Sequence, residues 1–104
     1  LRLVFNYTGR DWVFFTKVTV SVDGKNYYKS FDYFDITRDN NGGRVWEYMD
    51  ISPSSDDISM LRAIADSDET IVRFSGDDYR KDVTLTQTDK SAIRDALYVY
   101  DQLG

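Results

Sequence analysis

The chain contains no cysteine and no histidine. The first absence excludes disulfides, thiolate nucleophiles and Cys-ligated zinc or iron–sulfur sites. It does not fix a compartment, because secreted domains of this size also fold without bridges. The second absence removes the commonest general base and the commonest transition-metal ligand. Serines abound, yet there is no Gly-x-Ser-x-Gly elbow and no imidazole to take the proton. Walker and dinucleotide fingerprints are missing too, since the glycines stand at turn positions and Gly42-Gly43 lacks the spacing. No apolar run approaches the length of a membrane span, and no signal-peptide pattern occurs. Basic residues are in deficit: 13 Lys and Arg against 18 Asp and Glu leave a net charge of −5. That balance argues against nucleic acid and anionic lipid, because phosphate contacts need clustered Lys and Arg.

Glutamate is scarce as well, with only Glu47 and Glu69 among the acids. Asp closes turns and caps helices, so an Asp-rich, Glu-poor chain suits strands and loops more than a helical bundle. What the sequence does have is aromatic area, at 15% of 104 residues. A chain of this length, read as a single domain over 1–104, buries roughly two-thirds of its unfolded surface. It begins at Leu1 rather than Met, as a mature or trimmed domain of a longer precursor would. An arbitrary boundary would look the same.

Leu1, Leu3, Phe5 and Tyr7 alternate in a first strand that Thr8-Gly9-Arg10-Asp11 breaks. Trp12 to Val22 reads as one long strand, with Trp12, Phe14, Val18, Val20 and Val22 on one face and Val13, Phe15, Lys17, Thr19 and Ser21 on the other. Asp23-Gly24 is a type I′ turn pairing it with a returning strand over Lys25–Ile36. Thr37 to Gly43 reads as a polar loop. Arg44 to Ile51 is a fourth strand, with Val45, Met49 and Ile51 opposite Trp46 and Tyr48. Pro53 stops it, since proline cannot donate to a ladder. Ser54 with Asp57, or Ser55 itself, then starts a helix whose apolar stripe is Ile58, Leu61, Ile64 and Ala65.

The last third organises the rest. Thr70 to Phe74, a turn at Ser75-Gly76, and Tyr79 to Leu85 form a hairpin, with Tyr79, Val83 and Leu85 on one face. Thr86 or Thr88 caps a second helix, with Asp89 near the positive end of its dipole. Ile93, Ala96, Leu97, Tyr100 and Leu103 recur at helical spacing, and Gly104 sits where a C-terminal cap belongs. This stripe must lie on apolar surface, and solvent at Ile93, Leu97 or Tyr100 would overturn the assignment. An echo links Val20–Lys29 with Val72–Lys81, read as two hairpins reaching one turn solution. The order ββββ-α-ββ-α gives an antiparallel, β-rich α+β fold, either sandwich-like or a sheet with two covering helices.

The loop Asp35–Gly43 invites a calcium reading, because hard cations want clustered oxygens and a Gly to turn the chain. Against an EF-hand loop, however, Thr37 replaces the first carboxylate and Tyr48 the bidentate Glu, and strands flank it rather than helices. An EF-hand is rejected; the loop reads as turn-forming with a non-EF cation site as the alternative, and no metal or cofactor is expected. Asp56-Asp57, Asp66 with Asp68, and Asp77-Asp78 read as capping and turn residues. A hydrolase needs carboxylates opposed across a cleft, one with a raised pKa.

The aromatics are the best functional handle. Trp12, Phe15, Tyr27, Tyr28, Tyr33, Trp46 and Tyr48 fall on neighbouring strands and on both faces, and Trp46, Tyr48 and Tyr28 are the candidate exposed, ligand-binding rings. Val45-Trp46 through the first helix, Thr70-Ile71-Val72-Arg73-Phe74, Gly76-x-x-Tyr79, Asp89-Lys90 and the last helix together resemble C-terminal domains of uncharacterised bacterial proteins, many associated with the envelope or with lipoproteins. The resemblance implies a β-sandwich-like, extracytoplasmic domain and brings no catalytic residue. The expectation is a non-catalytic binding or protein-interaction module. The alternative is a sugar- or peptide-binding domain with an aromatic groove, and an acid-based hydrolase stands third.

Overall fold

The computed structural model describes residues 1–103, so the cap expected at Gly104 lies outside the described residues. Seven strands form two antiparallel sheets. The first sheet has β1 (Leu3–Gly9), β5 (Arg44–Ile51) and β4 (Thr37–Asn41), in that order. The second runs β3 (Lys25–Ser30), β2 (Lys17–Val22), β6 (Thr70–Ser75) and β7 (Arg80–Thr84). Helices α1 (Ser55–Ala65) and α2 (Gln87–Leu103) follow β5 and β7. The architecture is therefore α+β and antiparallel as expected, with five strands rather than four before α1.

The expected sandwich and the expected helical cover are both present, on different parts of one surface. At one end of the second sheet Phe74 meets the rings of Tyr7 and Phe15, 6.0 and 4.9 Å away. At the other, Val20 and Val72 share a crevice with Met60, Leu61 and Ile64 of α1. Buried side chains from both sheets and both helices join in one cluster. Burying each such side chain is worth about 1.5–3 kcal/mol.

The Asp23-Gly24 turn forms as read: both residues have positive φ, 49° and 89°, and Val22 pairs with Lys25. The Asp23 carboxylate also accepts from the backbone N–H groups of Asp68 and Glu69, tying the hairpin to the loop after α1. Three strand assignments are corrected. Trp12–Val22 is not one strand, because 12–16 is an irregular crossover and β2 begins at Lys17. The returning strand stops at Ser30, and a single 3-10 turn follows at Tyr33–Asp35. Thr37–Gly43 is not a polar loop but β4 plus the two-residue turn Gly42-Gly43, with φ of 58° and 81°. Thr37, Asp39 and Asn41 consequently lie along a strand rather than around a cation, and among the described residues no three acidic side chains converge.

The echoed hairpins use different turns. Val22 pairs with Lys25 around two residues, whereas Ser75 pairs with Arg80 around four. Ser54 caps α1 in a reciprocal box with Asp57, whose carboxylate also holds Lys29 of β3 at 3.1 Å. Thr86, not Thr88, exchanges the same pair of bonds with Asp89 ahead of α2.

The expected α2 stripe is corrected in its second half. Leu97 is buried and Ile93 half-buried, but Tyr100 is 40% and Leu103 85% exposed, and Ala96 is exposed. Solvent at Tyr100 overturns the assignment of the whole stripe as the organising surface of the fold. Only the first half of α2 lies on apolar surface, beside a fully buried Lys90 that donates to the carbonyls of Ser67 and Asp68. Past Leu97 the helix is held from its flank by a bidentate ion pair between Arg62 and Asp101.

Candidate functional site

The crossover 12–16 carries the chain from the first sheet to the second and is held by one carboxylate. Glu47, fully buried in β5, accepts hydrogen bonds from the backbone N–H groups of Val13 (2.7 Å), Phe14 (3.0 Å) and Phe15 (3.0 Å). Successive N–H groups converging in this way form a nest for an anion. Arg38 balances the charge at 3.0 Å and also donates to the carbonyls of Tyr33 and Phe15. Its position follows from the Gly42-Gly43 turn, which sets Arg38 directly opposite Glu47. Tyr7 donates its hydroxyl to the Asp11 carbonyl just before the crossover. Burial, with the Glu47 and Asp11 charges nearby, pushes its phenol upward.

Holding three N–H groups on one carboxylate puts Phe14 at φ 54°, a genuine outlier for a bulky residue. Val13 and Phe15 drop into the core, and the Phe14 ring turns outward. It stacks on Trp12 at 5.6 Å and lies 6.4 Å from Tyr33, which meets Phe34 edge-on at 5.3 Å. The Arg38 guanidinium sits 4.0 Å from the Tyr33 ring centre, close enough for a cation–π contact. Phe34 is 93% exposed, the most exposed large apolar side chain described.

Opposite this ladder stands the β6–β7 loop. Gly76 lets it approach: an added Cβ there would run into the backbone carbonyls of Val13 and Phe14. The Gly76 N–H donates to the Tyr79 carbonyl at 2.8 Å and closes the loop. Phe14, Tyr33 and Phe34 on one side, with Asp77, Asp78 and Tyr79 on the other, line a crevice of about 510 Å³. Small-ligand clefts span about 300–1,000 Å³. The two carboxylates are neighbours on one loop rather than opposed across the cleft, which is not the acid–base geometry of a hydrolase.

The sequence-derived candidates lie elsewhere and apart. Val45 and Glu47 are buried, so Trp46 and Tyr48 project from the opposite face of β5 and are half-buried. Their cross-strand neighbours Thr8, Asp39, Asn6 and Thr37 are all exposed, which makes an open sheet face with two rings along its central strand. Tyr28, 65% exposed, is on β3 of the other sheet, within 3.3 Å of Asn26. These three rings form no common site. The residues that do converge, Phe14, Phe34, Tyr79 and Gly76, read in the sequence as strand faces and a turn. One signal could have found them. Reading Gly42-Gly43 as a hairpin turn pairs Arg38 with Glu47, and a charged pair on inward strand positions demands a buried polar partner nearby. Comparisons with protein-family models, with curated proteins and with solved structures find no match to this chain.

Proposed function

We propose that this chain is a non-catalytic binding module whose working surface is the aromatic crevice between the crossover and the β6–β7 loop. The observation that carries the reading is the set of exposed rings, Phe14, Tyr33, Phe34 and Tyr79, around one concavity. Exposed rings cost solubility and contribute nothing to the core, and together they mark a contact surface. The support beneath them is stiff, with buried Glu47, half-buried Arg38 and a bulky residue held at positive φ. Backbone strain concentrates at ligand clamps. An extracytoplasmic, bacterial-envelope setting belongs to the same proposal and rests on the resemblance of the chain from Val45 onward. Fractionating cells that carry the tagged full-length protein tests that part.

The alternative is a sugar or peptide ligand, expected in an aromatic groove; besides the crevice itself, the open face of the first sheet offers it a place. It is favoured by Trp46 and Tyr48 standing two residues apart, with Asn6, Thr8, Thr37 and Asp39 beside them as hydrogen-bonding groups. Amide chemical-shift mapping against oligosaccharides and short peptides separates the two. Shifts centred on residues 14, 33–34 and 77–79 support the crevice. Shifts centred on Trp46 and Tyr48 support the sheet face instead, and the absence of shifts at both overturns the binding reading.

A further inference from the structure

Resting on the crevice as the binding surface, we infer that its ligand is a cationic side chain, the guanidinium of Arg or the ammonium of Lys, presented by a peptide segment of a partner protein. Aromatic faces carry negative quadrupole density and attract cations within about 6 Å of the ring centre. The crevice offers four rings and two carboxylates. Among the described residues, neither Asp77 nor Asp78 is held by an ion pair or a side-chain hydrogen bond.

No Lys or Arg lines the crevice. Arg38, the cation behind it, is committed to Glu47 and to the carbonyls of Tyr33 and Phe15. Arg38 also shows what the rings accept, since its guanidinium already lies 4.0 Å from the Tyr33 ring centre and 5.9 Å from that of Phe14, which leaves Phe34 and Tyr79 as the rings with no cation over them among the described residues. Arg80, one residue beyond Tyr79, lines an adjoining hollow that shares Asp77, Asp78 and Tyr79 with this one, and among the described residues no ion pair ties it to either carboxylate. The net charge of −5 steers cationic segments toward the protein and turns anionic ones away. A neutral sugar would leave the two carboxylates unused, and an acidic peptide would be repelled by them. The frame is preorganised by Gly76, the Phe14 backbone and the Glu47 nest, so little ordering cost falls on binding.

The test titrates four blocked tripeptides, Gly-Arg-Gly, Gly-Lys-Gly, Gly-norleucine-Gly and Gly-Glu-Gly, into the labelled protein and follows its amide shifts. The Arg and Lys peptides are expected to move the signals of residues 14, 33, 34 and 77–79, with affinity falling as salt rises. The norleucine and Glu peptides are expected to leave them in place. Phe34→Leu or Tyr79→Leu should weaken Arg-peptide binding about two- to fivefold. The double variant Asp77→Asn, Asp78→Asn should weaken it further and remove the salt dependence, and because these side chains are exposed its spectrum elsewhere should be unchanged. Equal binding of norleucine, or binding only of oligosaccharides at these residues, overturns the cation inference and leaves the binding module standing. If no probe of any class moves these residues, the crevice falls as the binding surface together with the cation inference.

Discussion

Replacing Glu47 by Gln keeps the side-chain shape and removes the charge, which isolates what the buried carboxylate contributes. An amide there turns a donor toward one of three backbone N–H groups and leaves the half-buried Arg38 guanidinium without its counter-ion. Breaking a buried pair from one side costs about 3–5 kcal/mol. Glu47→Gln is therefore expected to lower the unfolding free energy read from urea titration by that amount. A change below about 1 kcal/mol would mean that the nest does not hold the crossover. Gly76→Ala acts on the same junction from the opposite loop. The new methyl meets backbone rather than a flexible side chain, so the loop must move away from Val13 and Phe14. Overpacking of this kind costs about 1–3 kcal/mol. The signals of Phe14 and Tyr79 should shift together in its spectrum, and a wild-type midpoint would show the approach to be loose.

Helix α1 is coupled to β3 through Asp57, and that coupling is pH-dependent. Burial raises the Asp57 pKa, but the Ser54 N–H, the Lys29 ammonium and the Ser54 hydroxyl outweigh it and bring the pKa below its ordinary 3.8. A depressed folded value means the carboxylate stabilises the fold fully above pH 3.8, and the contribution fades as pH falls through the folded value. Asp57→Asn should cost about 0.5–2 kcal/mol at neutral pH, the size of a lost cap. It should also shrink the difference between neutral and acid stability, and a parallel curve would assign the acid limb to other carboxylates. The capping residues were legible because their pattern is local: Ser54 and Asp57 are three apart and flank a proline stop. Strand β5 was legible from alternation and β2–β3 from Asp-Gly. The crossover was not, because Trp12-Val13-Phe14-Phe15 satisfies a strand pattern while its backbone is set by Glu47, more than thirty residues away. For α2, helical spacing correctly gave a stripe but could not say where the surface beneath it ends. Amides past Leu97 are expected to exchange well ahead of those near Lys90, since among the described residues that half has no buried side chain and its ion pair is exposed. Uniform protection along α2 would contradict this.

Two packings of different character share one core, and they do not meet cleanly. Sheet lies on sheet where Phe74 touches Tyr7 and Phe15, whereas helix lies on sheet where α1 covers Val20 and Val72. The seam between them, lined by Leu3, Phe5, Leu61, Ile64, Val72 and Ile93, leaves a partly open apolar crevice of about 170 Å³. Atoms facing such a gap forgo dispersion contacts on that side. A β-branched side chain one methylene longer keeps the strand geometry of β6 and reaches into the space. Val72→Ile is therefore expected to stabilise the protein by about 0.5–2 kcal/mol, read as a higher urea midpoint with an unchanged slope. The same variant separates the seam from the aromatic crevice, because Val72 lies outside the crevice lining. If filling the seam destabilises the fold, its walls must already close in solution. If it stabilises the fold without moving the signals of Phe14, Phe34 and Tyr79, the core tolerates change while the crevice keeps its shape.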